Sequence, residues 1–288
     1  MGAEWRSILV PMTPLAFALI AFLSSVAAGL FGSLLGVGGG IIVVPSLTLL
    51  LGVPIRYAIG ASIVSVIATS SGAAAVYVRD RLSNIRVGML LEMSTVAGAL
   101  AGAFLAGRVG GHALHVVFAI AMVYTALSML RFNHDDGRTD EVSDGWADRL
   151  ALHGSYRDES SGTQVDYRVR RTRIGLTISL GAGILSGLLG VGGGIVKVPT
   201  MNLIMGMPLK AASATSNFMI GVTAAASAGV YFSRGDVNPL VTGPVALGVL
   251  LGSTIGSRIL GRIRSTSLRM AFVMLLLWVA FEMIRKGI

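Results

Sequence analysis

The chain contains one long internal repeat. Residues 29–54 read GLFGSLLGVGGGIIVVPSLTLLLGVP, and residues 183–208, which lie 154 positions later, read GILSGLLGVGGGIVKVPTMNLIMGMP. The alignment continues without a gap to Arg108, over some eighty positions. A match of this length at one offset indicates a duplicated unit. The fold must therefore be built from two similar halves, which we place at residues 1–131 and 173–288.

Long apolar stretches separate the charged residues of both halves. The 288-residue chain is 53% hydrophobic and 13% charged, whereas a soluble domain carries roughly 25% charged residues. Stretches of about twenty apolar residues have the length that crosses a hydrocarbon core of roughly 30 Å. This pattern predicts an all-α polytopic membrane protein. The predicted segments are about 13–35, 41–51, 57–78, 87–107 and 113–131 in the first half, and about 174–189, 195–206, 211–232, 239–257 and 268–285 in the second.

The second segment of each half is too short to cross a membrane. Its eleven or twelve residues would extend roughly 18 Å as a helix. We expect the first two segments of each half to form a re-entrant hairpin that turns at GVGGG, beside about three full spans. If the hairpins make no net crossing, eight short-loop basic residues lie on the linker side and six on the other. If each hairpin counts as one crossing, seven lie on each side. The first count favours inverted repeats, which recur in transporters.

The two GVGGG sequences are candidate anion-binding turns. Four glycines in five residues disfavour a helix, at roughly 1 kcal/mol each relative to alanine, and they allow backbone N–H groups to point at a ligand. The helix that follows would present its positive N-terminus to an anion. The alternative is that the glycines serve only for tight packing between the hairpins. The candidate glycines are Gly36, Gly38, Gly39, Gly40, Gly190, Gly192, Gly193 and Gly194.

Two charged residues lie inside apolar segments. Lys197 stands where the first half has Val43, and Glu92 stands where the second half has Ala246. Because ionisable side chains are costly in lipid, each one is a functional hypothesis. We predict Lys197 to be the counter-charge of an anionic substrate and Glu92 to be a proton-coupling carboxylate. The alternatives are that Lys197 extends to an interface, and that Glu92 lies near an interface and pairs with an arginine.

The third segment of each half carries hydroxyl groups, and that of the second half also carries an amide. Hydroxyl residues at i, i+3 and i+7 share one helix face. Such a face either lines a polar path or hydrogen-bonds neighbouring helices. The candidate substrate-binding residues in these segments are Ser62, Thr69, Ser216, Asn217 and Thr223.

The hydrophilic linker, residues 132–172, holds nine of the fourteen acidic residues. We expect it to be a solvated, partly disordered cytoplasmic loop. The remaining basic residues lie mostly at segment ends, so the net charge of +9 indicates headgroup contact rather than nucleic acid binding. The four histidines show no metal-ligand spacing and cysteine is absent, so we expect no metal site. Glu282 and Arg285 are expected to form an i, i+3 ion pair.

The doubled LLGVGGGI(I/V)xVP motif resembles the TauE/SafE family of sulfite and organosulfonate exporters, over almost the whole chain apart from the linker. The resemblance implies about eight membrane segments, no organic cofactor, and substrates such as sulfite, sulfoacetate or related sulfur-containing anions. The chain has no P-loop. We therefore predict a secondary, proton-linked anion transporter, an exporter, in the bacterial inner membrane.

Three other functions compete with this prediction. A membrane-embedded enzyme would need a cluster of acidic, basic or metal-binding residues, and Lys197 and Glu92 alone are weak support for such a site. A scaffold or sensor component would use the linker to bind a cytosolic partner, and a passive anion channel would share the sequence pattern of a carrier. The spacings Gly98-x-x-x-Gly102 and Gly252-x-x-x-Gly256 suit helix contacts within one chain or between chains.

Overall fold

The computed structural model describes residues 13–131, 144–157, 162–259 and 265–287. The first half forms α1 (Pro14–Leu35), α2 (Gly40–Pro45, continued by a π-helical turn over Ser46–Leu50), α3 (Ile55–Arg79), α4 (Ile85–Ala106) and α5 (Gly111–Arg131). The linker contains α6 (Gly145–Arg149), β1 (Gly154–Arg157) and β2 (Gln164–Tyr167). The second half forms α7 (Thr172–Leu189), α8 (Gly194–Pro199, continued over Thr200–Ile204), α9 (Leu209–Ser233), α10 (Pro239–Ile259) and α11 (Ser265–Gly287).

Every predicted segment is a helix whose ends lie within about three residues of the expected ones. α1 begins after Thr13, whose hydroxyl accepts the N–H of Ala16, and Pro14 suits the first helical position. α1 and α7 end at Gly36 and Gly190, with φ of 69° and 67°, a conformation that glycine adopts without strain. Six of the described helices are long and apolar enough to span a membrane. The predicted all-α polytopic membrane protein is confirmed.

The two halves are interleaved. α1 packs along α10 of the second half, and the corresponding α7 packs along α4 of the first. α3 packs against α9, and α5 packs against α11. Since the first helix of each half finds its main partner in the other half, the two copies fold together.

The order of contacts along the helices shows how the halves are oriented. The hydroxyl of Ser70 in α3 donates to the carbonyl of Asn217 in α9 at 2.6 Å. Gly60, earlier in α3, lies against the carbonyl of Asp236, beyond the end of α9. Because residue numbers rise along one helix as they fall along the other, α3 and α9 are antiparallel. Antiparallel packing of equivalent helices is what inverted repeats require, and their orientation in the bilayer stays a prediction.

Glycines allow the interleaved helices to touch at their backbones. A Cβ atom at Gly98 would lie 2.2 Å from the carbonyl oxygen of Leu180, and one at Gly252 would lie 2.0 Å from that of Val26. Both distances are shorter than any real Cβ contact, so only a hydrogen atom fits there. The two small-residue spacings therefore serve contacts within one chain.

The described part of the linker is more ordered than expected. β1 and β2 pair in antiparallel fashion. Asn84 Nδ2 donates to the carbonyl of Leu152 at 2.8 Å and to Tyr167 Oη at 3.1 Å, and the N–H of Arg170 donates to the carbonyl of Met205 at 3.0 Å. These bonds attach the linker to both halves, so residues 144–157 and 162–171 are structured, although most of them are exposed. Residues 132–143 and 158–161 of the linker lie outside the described part.

Asp144 joins the start of α6 in the linker to the start of α7. Its carboxylate accepts the N–H of Trp146 at 3.0 Å and the N–H of Thr172 at 2.6 Å. Burial acts to raise the pKa of Asp144, but the hydrogen bonds from Thr172, Trp146 and Ala147 outweigh it and leave that pKa below its ordinary 3.8.

We expect Asp144→Ala to destabilise the local linker structure by about 1 kcal/mol, the usual cost of losing a helix cap. In the unchanged protein, the contribution of Asp144 is fully present above pH 3.8 and is lost as the pH falls through the lowered, folded pKa. Amide hydrogen exchange of residues 144–172 measures both effects. Asp166→Ala, on an exposed position of β2, is the control, and equal exchange in the two variants would contradict the anchoring role.

Candidate functional site

Lys197 and Glu92 form an ion pair inside the bundle. Lys197 Nζ lies 3.2 Å from Glu92 Oε2, with the lysine side chain fully buried and the carboxylate side chain 9% exposed. Lys197 belongs to α8 and Glu92 to α4, so the pair joins the two halves. Lys197 therefore does not extend to an interface, and the partner of Glu92 is this lysine rather than an arginine.

Two threonine hydroxyls complete the cluster. Thr223 Oγ1 on α9 accepts from Lys197 Nζ at 2.8 Å and donates to Glu92 Oε1 at 2.5 Å. Thr95 Oγ1, one turn after Glu92, lies 3.1 Å from Glu92 Oε2. Both threonines are fully buried. Sequence reasoning missed Thr95, although its i, i+3 spacing from a lone carboxylate was the available signal.

The ion pair constrains the charge that the site can hold. Taking each ion out of water costs several kcal/mol, which the mutual attraction and the threonine hydrogen bonds must offset. Removing one partner leaves an uncompensated buried charge, at a cost of about 3–5 kcal/mol. A charged Lys197 therefore needs a negative partner at all times. Glu92 supplies it when ionised, and a bound anion can supply it when Glu92 is protonated.

The cluster, which takes residues from both halves, has no symmetry-related copy. At the 154-residue offset of the repeat, Lys197 corresponds to Val43, Glu92 to Ala246, Thr223 to Thr69 and Thr95 to Val249. Thr69 Oγ1 donates to the carbonyl of Ser65 in its own helix at 2.9 Å. One of the two equivalent positions around the pseudo-symmetry axis is thus charged, and the other is mostly apolar.

The two glycine-rich turns pack against each other. Ser62 Oγ donates to the carbonyl of Gly190 at 2.7 Å, and the equivalent Ser216 Oγ donates to the carbonyl of Gly36 at 2.5 Å. A Cβ atom at Gly194 would lie within contact distance of the Gly36 carbonyl. All eight candidate glycines are buried. In this conformation the turns contact one another, and an anion-binding role for them stays a prediction.

Asn217 lies between the halves, and the two polar atoms of its amide differ in their hydrogen bonding. Its Nδ2 donates to the carbonyls of Ser33 at 2.8 Å and Ser213 at 3.1 Å. Tyr77 Oη donates to the same Ser33 carbonyl at 3.0 Å. Asn217 Oδ1 is buried and has no hydrogen-bond partner in the described part of the chain. Asn217 thus links α9 to the end of α1, at a distance from the ion pair along its helix.

Glu282 and Arg285 form the expected ion pair on α11, with 2.8 Å between Oε2 and the guanidinium. The arginine side chain is 71% exposed, so the pair adds little to stability. It gives a matched surface carboxylate for comparison with Glu92.

Comparison with known proteins decides the family. The family described as Sulfite exporter TauE/SafE matches residues 21–283, which includes both halves and the linker. The chain belongs to the TauE/SafE family. The resemblance drawn from the doubled glycine motif is confirmed, and the protein is a multi-pass membrane protein of the cell membrane.

Curated relatives in this family carry transporter names. The chain is 26% identical to "Probable membrane transporter protein YunE" of Bacillus subtilis, over 91% of this chain and 95% of the relative. It is also 26% identical to "Probable membrane transporter protein MJ0441" of Methanocaldococcus jannaschii, over 84% and 85% of the two chains. "Probable membrane transporter protein MamO" of Magnetospirillum gryphiswaldense is 26% identical over 82% of this chain, which spans 40% of that protein. No solved structure matches the chain significantly.

Proposed function

We propose that this protein is a secondary transporter that exports a small sulfur-containing or organic anion, such as sulfite or a sulfonate, in a proton-coupled cycle. In this proposal, Lys197 is the counter-charge of the anion and Glu92 carries the coupled proton. The observation that carries the proposal is the buried pair between Lys197 and Glu92. Membership in a family described as a sulfite exporter, and relatives named as membrane transporters, support the choice of function and substrate.

The chemistry of the cluster suits an oxyanion. An anion that replaces the Glu92 carboxylate would meet the Lys197 ammonium and the hydroxyl of Thr223, which already bond each other. Sulfite and sulfonate oxygens accept hydrogen bonds from both groups, and bonds to a charged partner are the stronger kind. Because the carboxylate is titratable, protonation can release Lys197 to the incoming anion.

The position of the cluster suits a transport cycle. The pair and Thr223 tie together α4, α8 and α9, and α8 is the short helix of the second hairpin. When the anion and a proton replace the direct ion pair, α8 loses its link to α4. We infer that the hairpin then shifts and opens the site, since a ligand moves a conformational equilibrium only through contacts that differ between the states.

Uptake into proteoliposomes tests this function. Radiolabelled sulfite, sulfoacetate and taurine are supplied with and without an imposed pH gradient. We expect gradient-dependent uptake of at least one of them, and a loss of about tenfold or more in Thr223→Val, because a hydrogen bond to a charged group contributes about 1.5–3 kcal/mol.

Thr177→Val is the matched control for Thr223→Val. Thr177 is exposed on α7, and its hydroxyl donates within its own helix, to the carbonyl of Ile174 at 2.9 Å. We expect this variant to transport at the wild-type rate. Wild-type uptake in Thr223→Val would remove the cluster from the mechanism, and no uptake of any tested anion would favour the non-transporting scaffold.

A further inference from the structure

We propose that each transport cycle carries one monovalent anion together with one proton, so that no net charge crosses the membrane. This inference rests on the proposed function, and export by such a cycle requires an outward concentration gradient of the anion that exceeds the inward gradient of protons. It adds the charge of the substrate, the proton stoichiometry and the electrical signature of the cycle. The observation behind it is the balance of charge around Lys197 and Glu92.

The cluster contains one positive and one negative group. Among the described residues, Lys197 is the partner that forms an ion pair with Glu92. The other ionisable residues of the helices packed against this pair lie near helix ends or face outward. They are Arg86 on α4, His112, His115, the 48% exposed Tyr124 and the terminal Arg131 on α5, Arg173 on α7, and Lys210 and Tyr231 on α9. The site is therefore neutral when Glu92 is ionised and Lys197 is charged.

Neutrality decides which anion can replace Glu92. A monovalent anion on Lys197, with the proton held on the Glu92 carboxyl, leaves the total charge of the site at zero. A divalent anion in the same place leaves one uncompensated negative charge in a water-poor interior, which is strongly unfavourable. The site should thus accept hydrogen sulfite or a simple sulfonate, and discriminate against the sulfite dianion and sulfoacetate.

A free hydroxyl beside the second turn gives the anion a further donor. Ser186 on α7 is 2% exposed, and its Oγ has no hydrogen-bond partner in the described part of the chain. A Cβ atom at Gly193 would lie 3.2 Å from Ser186 Cβ, and the N–H of Lys197 donates to the Gly193 carbonyl at 3.1 Å. Ser186 therefore lies beside Gly193, the residue one helical turn before Lys197 in the chain. An unpaired buried hydroxyl is costly, and an oxyanion would satisfy it.

The test compares anions of one and two charges in proteoliposomes. Methanesulfonate and hydrogen sulfite carry one charge, and sulfoacetate carries two near neutral pH. A potassium gradient with valinomycin sets the membrane potential independently of the pH gradient. We expect the monovalent anions to accumulate about tenfold per pH unit. A membrane potential of about 100 mV should leave this accumulation ratio unchanged. That potential would change the accumulation of one uncompensated charge about fifty-fold.

Three results separate the inference from the function. Accumulation of a monovalent anion in response to potential, or equal transport of sulfoacetate, would overturn the neutral cycle while leaving the protein a transporter. No flux of any anion would instead count against the proposed function. Accumulation that follows the pH gradient alone supports both.

Glu92→Gln gives a second test, because glutamine imitates the protonated carboxyl permanently. We expect this variant to exchange labelled for unlabelled methanesulfonate, while accumulation driven by the pH gradient falls to a ratio of about one. Glu282→Gln, which alters the surface pair with Arg285, should keep the full gradient-driven accumulation. Retained accumulation in Glu92→Gln would overturn the assignment of the proton, and if this variant does not fold, the potential measurement on the wild-type protein still decides.

Discussion

We expect Lys197→Met to reduce anion uptake by about a hundredfold. The substitution removes the positive partner of any bound anion, and truncating one partner of a buried charge pair costs about 2–5 kcal/mol of binding free energy or more. Because 1.4 kcal/mol corresponds to a factor of ten, a loss of about 3 kcal/mol within that range corresponds to about a hundredfold. Initial uptake rates in proteoliposomes measure the effect. Lys210→Met, at the start of α9 where the lysine is partly exposed, should keep the wild-type rate.

A second substitution separates the transport defect from loss of stability. Replacing a buried ion pair by apolar side chains is often neutral or stabilising. We therefore expect the double variant with Lys197→Met and Glu92→Met to recover thermal stability in detergent, although it still fails to transport. A double variant as unstable as Lys197→Met would show that the two residues do not act as a pair. Uptake by Lys197→Met with unchanged rate and apparent affinity would exclude Lys197 from the site.

Gly187→Ala should have the largest effect on folding. A Cβ atom at Gly187 in α7 would lie 2.0 Å from the carbonyl oxygen of Ala99 and 2.7 Å from the backbone nitrogen of Ala103, both in α4. Backbone atoms cannot give way singly, so the two helices must separate. Overpacking usually costs 1–3 kcal/mol, and here we expect about 3 kcal/mol or more. Thermal unfolding in detergent, followed by size-exclusion chromatography, measures the loss.

The same helix provides the control. Gly181 is exposed, and a Cβ atom there meets no atom within 4 Å. Gly181→Ala should be neutral, or stabilising by up to about 1 kcal/mol, because alanine is the better helix former. Equal melting temperatures for the Gly181 and Gly187 variants would contradict the close packing of α7 on α4.

The sequence predicted the helices well because the duplication repeats one series of segments and because long apolar stretches mark each segment. The GVGGG sequence that begins at Gly36 predicted the turn after α1. The amino-acid sequence also singled out Lys197 and Glu92, since each is an isolated charge in an apolar segment. It did not predict that they form a pair. They are 105 residues apart, and their meeting depends on the exchange of helices between halves, which no local pattern encodes.

Other features escaped for similar reasons. The strands of the linker are four residues long, too short for an alternating pattern to stand out. The hydroxyls of Ser62 and Ser216 fitted a polar path or helix contacts equally well. Their bonds to the opposite turns form because the two turns meet at the centre. That tertiary contact cannot be predicted from the residues of a single helix face.

The interleaved arrangement has a consequence for biosynthesis. α1 is made first, but its principal neighbour, α10, ends at Ile259, more than two hundred residues later. At a translation rate of about 5–20 residues per second, the ribosome needs roughly ten to forty seconds to produce that neighbour. During this interval α1 resides in the bilayer without the helix whose Gly252 packs against the Val26 backbone. Until α10 arrives, the surface of α1 that it will cover stays in contact with lipid or with other proteins of the membrane, so we expect the final packing of α1 to be a late step of folding.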